Sequence, residues 1–294
     1  MNKISVSVQG ASHKKEGKPL QDYARSSLGK GYSIFAVADG HGGEKYFRSQ
    51  IGSERAVSVA ENKLEDFWKG FEKLKGCNIG NLSLERTVPN IINGILQSWR
   101  YSVRSHFRKK PLEPYELYLC GQLGIPWKDV EEALKDDEKK DYSFIERLYG
   151  TTLIAGIYIT PPPFPIGGKE ALWIAIQIGD GACLAKKAGG DVFFPIPDDD
   201  KLGFGMTTSL CSSNAVNEFR YAWGFDRLDY ICACTDGVQD SFTPEGLKNF
   251  MNDIYHNVQI YGADRERQEL ESFFPRLSEQ GSGDDVSFAG VFGY

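Results

Sequence analysis

Several short apolar segments of this 294-residue chain have an aspartate at one end, beside a glycine, and this pattern restricts the fold more than any other feature. These aspartates are Asp39 after residues 32–38, Asp180 after 171–179, Asp236 after 228–234 and Asp284 before 285–293. An Asp-Gly pair after a strand is also a common turn signal, which would explain any one of them. The chain has four such sites, and Asp22 is a fifth candidate. Their number favours a fold in which the strand ends bring these carboxylates together.

The spacing of apolar residues predicts a layered α+β fold. Residues 3–9 alternate between apolar and polar side chains, which is typical of a half-buried strand. Further strands are predicted at 32–38, 151–159, 171–179, 182–187, 191–194, 228–234 and 285–293. Helices are predicted at 43–75, at 89–110 with Pro89 near its start, and at 244–255 with Thr243 as N-cap. Because few long helices separate the later strands, antiparallel pairing and a β-sandwich faced by helices are favoured.

The chain is predicted to form a single domain over residues 1–294. Residues 111–147 combine aromatic residues, proline and dense charge, and we interpret them as a mostly helical surface insertion. Residues 195–227 are rich in Gly, Ser, Asn and Asp and are predicted to form a flap.

Charge and cysteine content restrict the partners and the compartment. The chain has 34 basic and 40 acidic side chains, a net charge of −6, which argues against a nucleic-acid binder. Its start lacks the pattern of a secretory signal, and its longest apolar runs are too short to cross a membrane as a helix. Its six cysteines are scattered. We therefore expect a reduced, cytoplasmic protein without nucleic-acid or membrane partners.

A cluster of carboxylates predicts bound divalent cations. Carboxylates that lie close together repel one another unless a cation neutralises them, and Mg²⁺ and Mn²⁺ prefer oxygen ligands. Gly40 has no side chain, so its carbonyl oxygen can approach an ion closely. His41 lies between glycines and would stand beside such a centre.

The sequence resembles the type-2C metal-dependent Ser/Thr protein phosphatases, in particular bacterial members. The matching pieces follow the family's order along nearly the whole chain. They are Gln21-Asp22, Ala38-Asp39-Gly40-His41-Gly42-Gly43, Gly150-Thr151-Thr152, Ile178-Gly179-Asp180-Gly181, Thr235-Asp236-Gly237-Val238 and Asp284-Asp285-Val286-Ser287. The resemblance implies a central β-sandwich of two antiparallel sheets flanked by helices in four layers, α-β-β-α, with a two-metal centre at one end.

The resemblance also implies roles for individual residues. Asp39 would bridge two Mg²⁺ or Mn²⁺ ions, and Gly40 would add a backbone oxygen to one of them. Asp236 and Asp284 would hold the other ion, Asp22 would act through water, and Asp180 with Asp236 would bind a weaker third ion. His41 would protonate the leaving serine or threonine oxygen.

Three positions depart from the family pattern. Where eukaryotic members carry a phosphate-binding arginine, this chain has residues 10–15, and the candidate substitutes are His13 or a neighbouring lysine. Gln21 stands where Glu is common, and Gly181 follows Asp180 where Ser-Arg is usual.

These features predict hydrolysis of phosphoserine and phosphothreonine in proteins by a metal-activated water, with His41 as general acid and a phosphoprotein, opposing a Ser/Thr kinase, as partner. Two alternatives stay open. One is a pseudophosphatase that binds without catalysis, and the other is a metallohydrolase of small phosphate esters.

Overall fold

The computed structural model describes residues 1–73, 83–135, 142–160, 171–197 and 207–293. Its strands are β1 (Asn2–Val8), β2 (Tyr23–Gly29), β3 (Tyr32–Ala38), β4 (Leu153–Ile159), β5 (Leu172–Ile178), β6 (Ala182–Lys187), β7 (Val192–Phe193), β8 (Arg220–Gly224), β9 (Leu228–Cys234) and β10 (Val286–Phe292). Its helices are α1 (Ala11–Glu16), α2 (Ser49–Lys73), α3 (Leu84–Lys109), α4 (Pro114–Gln122), α5 (Trp127–Leu134), α6 (Ser143–Leu148), α7 (Ala215–Glu218), α8 (Asp236–Gln239), α9 (Pro244–Tyr261) and α10 (Ala263–Gln280).

The strands of the described residues form two five-stranded antiparallel sheets. The first sheet has the order β1-β10-β9-β6-β7, and the second has the order β2-β3-β4-β5-β8. The two ends of the chain meet in the first sheet, where Asn2 lies opposite Phe292 and Val8 lies opposite Val286. The α+β class with two antiparallel sheets, as predicted, is confirmed.

Apolar side chains hold these sheets and helices together in four layers. Phe35 and Ile154 of the second sheet pack with Ile231 and Val291 of the first in the space between the sheets. The outer face of the second sheet packs against α2 and α3, and the outer face of the first packs against α9 and α10. Burial of these surfaces is the main stabilising contribution. The predicted α-β-β-α arrangement is confirmed.

Two strands of the second sheet differ from the sequence prediction. Neither β2 nor β8 was expected as a strand, and β8 lies inside residues 195–227, which we predict as a flap. β8 is bonded to β5, with Arg220 opposite Gln177, so this part of the segment is an edge strand. Most of its side chains are only half-buried, and no apolar alternation therefore marks it. Residues 198–206 of the predicted flap lie outside the described residues.

The helices also correct the sequence prediction in detail. α2 begins at Ser49 rather than at residue 43, because a 3-10 turn at Glu44–Tyr46 comes first. α3 begins at Leu84, so Pro89 lies inside the helix instead of near its start. Thr243 caps α9 as predicted, since its hydroxyl accepts from the Gly246 amide at 3.1 Å.

The segment 111–147 contains three helices, α4, α5 and α6, while its residues 136–141 lie outside the described part. Buried Arg48 anchors α4, because its Nε and Nη2 donate to the two carboxylate oxygens of Glu116 at 2.7 and 2.6 Å. Such a bidentate pair is strong and directional. Through the described ranges, no helix combines the length and apolar content that crossing a bilayer requires.

Candidate metal centre

Three carboxylates meet where strands of the two sheets end. Asp39 follows β3, Asp180 lies in the turn between β5 and β6, and Asp236 begins α8 just after β9. One ligand oxygen from each of them lies within 4.8 Å of the other two. Asp180 occupies a tight turn between Gly179 and Gly181, both of which have positive φ values. The sheet ends therefore build an acidic cluster from distant parts of the chain.

Burial and mutual repulsion both raise the pKa values of these carboxyl groups. Burial, followed by repulsion from four other aspartates, raises the pKa of Asp39 well above its ordinary value; these are Asp22, Asp236, Asp284 and Asp180. Burial and then the charges of Asp180 and Asp284 raise the pKa of Asp236 to about 7. Burial also raises the pKa of Asp22. A cluster whose members disfavour one another's ionisation is a site that a cation would stabilise.

The backbone around Asp39 is held by two threonines. The Thr152 hydroxyl accepts from the Asp39 amide at 3.0 Å, and the Thr152 amide donates to the Asp39 carbonyl at 2.9 Å. The Thr151 hydroxyl donates to the same carbonyl at 2.7 Å. These contacts fix the chain at the point where the Asp39 carboxylate enters the cluster.

Gly40 lies where no side chain fits. A Cβ atom at this position would stand 2.5 Å from the carbonyl oxygen of Gln21 and 2.8 Å from that of Ser49. Gly40 also forms an isolated bridge with Thr151. The close approach of three chain segments, and not only access to an ion, requires glycine here.

His41 is oriented by contacts on several sides. Its Nε2 lies 2.7 Å from the hydroxyl of Ser209, and its ring lies 4.7 Å from that of Tyr46. The Ser209 hydroxyl lies 3.1 Å from the Thr151 carbonyl as well, so it links the His41 ring to the backbone that holds Asp39. Burial and then the charge of Lys45 lower the pKa of His41 to about 4.

Asp284 and Asp285 are neighbours with different environments. The Asp284 side chain is 46% exposed, whereas that of Asp285 is 1% exposed. Asp285 accepts from the backbone amides of Gly10 at 2.7 Å and Gln21 at 2.6 Å. Asp285 is therefore held by hydrogen bonds to the backbone, whereas the carboxylate of Asp284 is accessible from solvent.

His13 lies inside the acidic region. Its Nδ1 is 2.9 Å from Asp285 and its Nε2 is 3.4 Å from Asp284. The hydrogen bond to Asp285 is the main cause that raises the pKa of His13. Both ring nitrogens thus face carboxylates, a geometry that the sequence prediction of a phosphate contact did not anticipate.

Asp22 is buried beneath the cluster. Its carboxylate accepts from the Thr235 hydroxyl at 2.8 Å, next to Asp236, and its pKa is raised further by the charges of Asp285 and Asp236. Of the five aspartates singled out from the sequence, the structure brings Asp39, Asp180 and Asp236 within 4.8 Å of one another, while Asp284 groups with His13 and Asp285. Asp22 and Asp284 act on the cluster through their charges.

Three residues of this region were missed by the sequence analysis: Ser209, Asp285 as a backbone anchor, and Asp240. Asp240 follows Asp236 by one helical turn, and its pKa is raised by burial and then by Asp180 and Asp284. The four-residue spacing was a usable signal for Asp240. The contact of Ser209 with His41 joins residues 168 positions apart and has no local signal.

Comparisons with known proteins agree with this architecture. The sequence model of the family described as Protein phosphatase 2C matches residues 9–274. No curated protein matches the chain.

Solved structures with the same fold have low sequence identity to this chain. A bacterial serine phosphatase, solved as a point mutant, aligns with a TM-score of 0.56 and 12% identity, over 100% of this chain and 99% of its own. The serine-threonine phosphatase 2C from Toxoplasma gondii aligns at 0.54 and 11% identity, over 99% and 94%. A C. elegans sex determining protein aligns at 0.54 and 14% identity, over 99% of this chain and 64% of its own.

Proposed function

Because the chain belongs to the protein phosphatase 2C family, whose members are metal-dependent protein phosphatases, we propose that it hydrolyses phosphoserine and phosphothreonine in proteins. The observation that carries the proposal is the cluster of Asp39, Asp180 and Asp236, whose ligand oxygens lie within 4.8 Å of one another.

The donor set fits hard divalent cations. Every ligand candidate is an oxygen, as Mg²⁺ and Mn²⁺ prefer, and the pKa of Asp39 is raised by burial and then by the negative charges of its neighbours, both of which a bound cation would offset. We propose that Asp39 would bind both ions, that the Gly40 carbonyl would contribute to one of them, and that Asp236 and the exposed Asp284 would hold the other. Asp22 would act through water, and Asp180 with Asp236 would hold a third ion. When bound, such ions activate water for attack and screen charge on phosphoryl oxygens.

The chain's own groups then position the reaction. Thr151 and Thr152 fix the Asp39 backbone, while Ser209 and Tyr46 orient His41. At neutral pH the His41 ring is neutral before substrate binds, since its pKa is about 4. An approaching phosphoryl dianion would raise that pKa, and His41 could then deliver a proton to the leaving oxygen.

His13 was predicted from the sequence as a weak phosphate contact. In the structure it would have to leave Asp284 or Asp285 to reach a phosphoryl group. We therefore propose that His13 primarily orients this carboxylate pair. Mg²⁺ or Mn²⁺ as the physiological ion, an opposing Ser/Thr kinase and a cytoplasmic location remain predictions from the sequence.

The proposal is tested with purified protein and a panel of phosphate esters. We expect phosphoserine and phosphothreonine peptides to be hydrolysed with added Mg²⁺ or Mn²⁺, and chelation by EDTA to abolish turnover. Phosphate release, measured with and without metal, is the readout. Turnover of nucleotides or sugar phosphates alone would instead establish a small-ester hydrolase. Tight phosphopeptide binding without turnover under any metal would establish a pseudophosphatase.

The general-acid role of His41 has its own test. Replacement with Asn is expected to lower phosphoserine-peptide turnover by about 100-fold or more, because the alkoxide leaving group needs a proton. Turnover of p-nitrophenyl phosphate, whose leaving group needs no proton, should fall only a few-fold. The exposed His256→Asn variant is the matched control and should behave as the parent. Equal losses on both substrates would contradict proton donation by His41.

A further inference from the structure

The serine beside the candidate general acid belongs to a short turn. The hydroxyl of Ser209 lies 2.7 Å from His41 Nε2, and the turn that begins at Ser209 is closed by the Ser212 amide, which donates to the Ser209 carbonyl at 3.0 Å. The Leu210 amide donates to the Thr151 carbonyl at 3.0 Å and holds the start of the turn. The position of this turn therefore determines where the His41 ring meets its hydrogen-bond partner.

The far end of the turn is held by an arginine of helix α3. Arg100 Nη2 donates to the carbonyl of Ser212 at 3.1 Å, a contact between residues 112 positions apart. Leu210 is 0% exposed and packs in the same core cluster as α3. Apolar packing has no preferred direction, whereas a hydrogen bond does. The contact with Arg100 is therefore the one that can set the orientation of the turn.

Arg100 is itself oriented by a buried carboxylate. Its Nε lies 3.1 Å from Oε2 of Glu146, whose side chain is 4% exposed. Arg104, one helical turn further along α3, donates from Nη2 to Oε1 of Glu146 at 2.6 Å. A buried ion pair is weak evidence for stability alone, because removing the charges from water offsets much of their attraction. The two arginines share this carboxylate, and among the residues that the structure describes only Arg100 also reaches the turn.

We propose that Glu146 and Arg100 are positioning residues, which hold the Ser209 hydroxyl within hydrogen-bonding distance of the proton donor. The two ends of the Arg100 guanidinium have different partners, since Nε pairs with Glu146 and Nη2 holds Ser212. The planar fork of a guanidinium makes both contacts at once, whereas the compact ammonium of lysine would keep only one of them. The inference rests on the proposed function, since it concerns His41 as the general acid.

The test compares Arg100→Lys with Arg104→Lys. Both variants keep a cation beside Glu146, so the buried carboxylate stays paired, but only Arg100→Lys loses the contact with Ser212. Each protein is assayed with Mn²⁺ on a phosphothreonine peptide and on p-nitrophenyl phosphate. We expect Arg100→Lys to lower kcat on the peptide by about 10-fold with KM unchanged, because a misplaced proton donor acts on the transition state. Its turnover of p-nitrophenyl phosphate should stay within about 2-fold of the parent, and Arg104→Lys should match the parent on both substrates.

A second variant shows whether Arg100 acts through the serine. Ser209→Ala removes the hydroxyl and leaves the ion pairs intact, and it should lower kcat on the peptide by about 10-fold or more with little change on p-nitrophenyl phosphate. In the double variant of Ser209→Ala and Arg100→Lys, the loss on the peptide should equal that of Ser209→Ala alone. The thermal midpoints of Arg100→Lys and Arg104→Lys should lie close together, since each substitution weakens one ion pair of Glu146.

The outcomes separate this inference from the function on which it rests. Equal losses of Arg100→Lys on both substrates, peptide turnover close to the parent, or losses that multiply in the double variant would overturn the inference and leave the phosphatase function standing. Equal losses of His41→Asn on both substrates would overturn it together with the general-acid role. Absence of hydrolysis of every phosphopeptide by the parent protein would overturn the proposed function as well.

Discussion

Replacement of Asp39 with Asn is expected to abolish metal-dependent phosphopeptide hydrolysis, by about 10³-fold or more, and to make the metal-free protein more stable. The loss of activity follows from the position of Asp39, which is the carboxylate that the other four aspartates all influence. Removing its charge would weaken both cation binding and the electrostatic stabilisation that the cations provide.

The gain in stability follows from the raised pKa of Asp39. A carboxyl group whose pKa is higher in the folded than in the unfolded state opposes folding wherever it is ionised in the unfolded chain. At neutral pH the half-buried carboxyl group therefore destabilises the folded parent, and Asn, of nearly the same size, removes that cost. The stabilisation by added Mn²⁺ should shrink in the variant, because binding to the folded state is what raises stability.

Three measurements on one pair of proteins check these expectations. They are phosphate release from a phosphopeptide, the thermal midpoint in EDTA and the shift of that midpoint with Mn²⁺. The exposed Asp66→Asn substitution on α2 removes the same charge far from the cluster and should leave all three near the parent values. Activity within about 10-fold of the parent, or a metal-free variant that is less stable, would contradict the bridging assignment.

The strands that bury both faces were readable from the sequence. Of the strands at the sheet edges, β1 and β7 were predicted, whereas β2 and β8 were not. β3 and β9 coincide with predicted apolar runs because every position but one in each is buried. β8 at the sheet edge has four half-buried residues and one exposed residue, so it lacks a periodic apolar signal. α10 was missed although Leu270, Phe274 and Leu277 have helical spacing, since Pro275 and many charged residues obscured the pattern.

The candidate site likewise has residues that the sequence predicted and residues that it did not. All of its candidate aspartates except Asp22 carry a local mark, an aspartate beside a glycine at one end of an apolar run. The structure brings three of these marked residues, Asp39, Asp180 and Asp236, together. The groups that hold them have no such mark. Asp285 bonds the Gly10 amide across 275 positions, and Ser209 meets His41 across 168. Contacts between segments so far apart depend on the completed sandwich, which a single sequence pattern does not encode.

Replacement of Gly52 with Ala is expected to destabilise the protein by about 3 kcal/mol. A Cβ at this position of α2 would stand 1.9 Å from the carbonyl oxygen of Tyr149. The helix cannot move away freely, because the Gly52 carbonyl accepts from Trp99 Nε1 at 3.0 Å and the Arg48 amide donates to Leu148 at 2.9 Å. The backbone of Tyr149 must then shift, and with it the Gly150 carbonyl that receives the His41 amide.

The same helix supplies the control. A Cβ at Gly70 would meet nothing within 4 Å, so Gly70→Ala should raise the free energy of unfolding by about 0.5–1 kcal/mol through the better helix propensity of alanine. Urea unfolding followed by circular dichroism measures both variants. If replacement of glycine by alanine lowers the free energy of unfolding at position 52 and raises it at position 70, the contact with Tyr149 is the cause of the difference. If the two alanines shift stability alike, the close packing of α2 against Tyr149 is not what requires glycine at position 52.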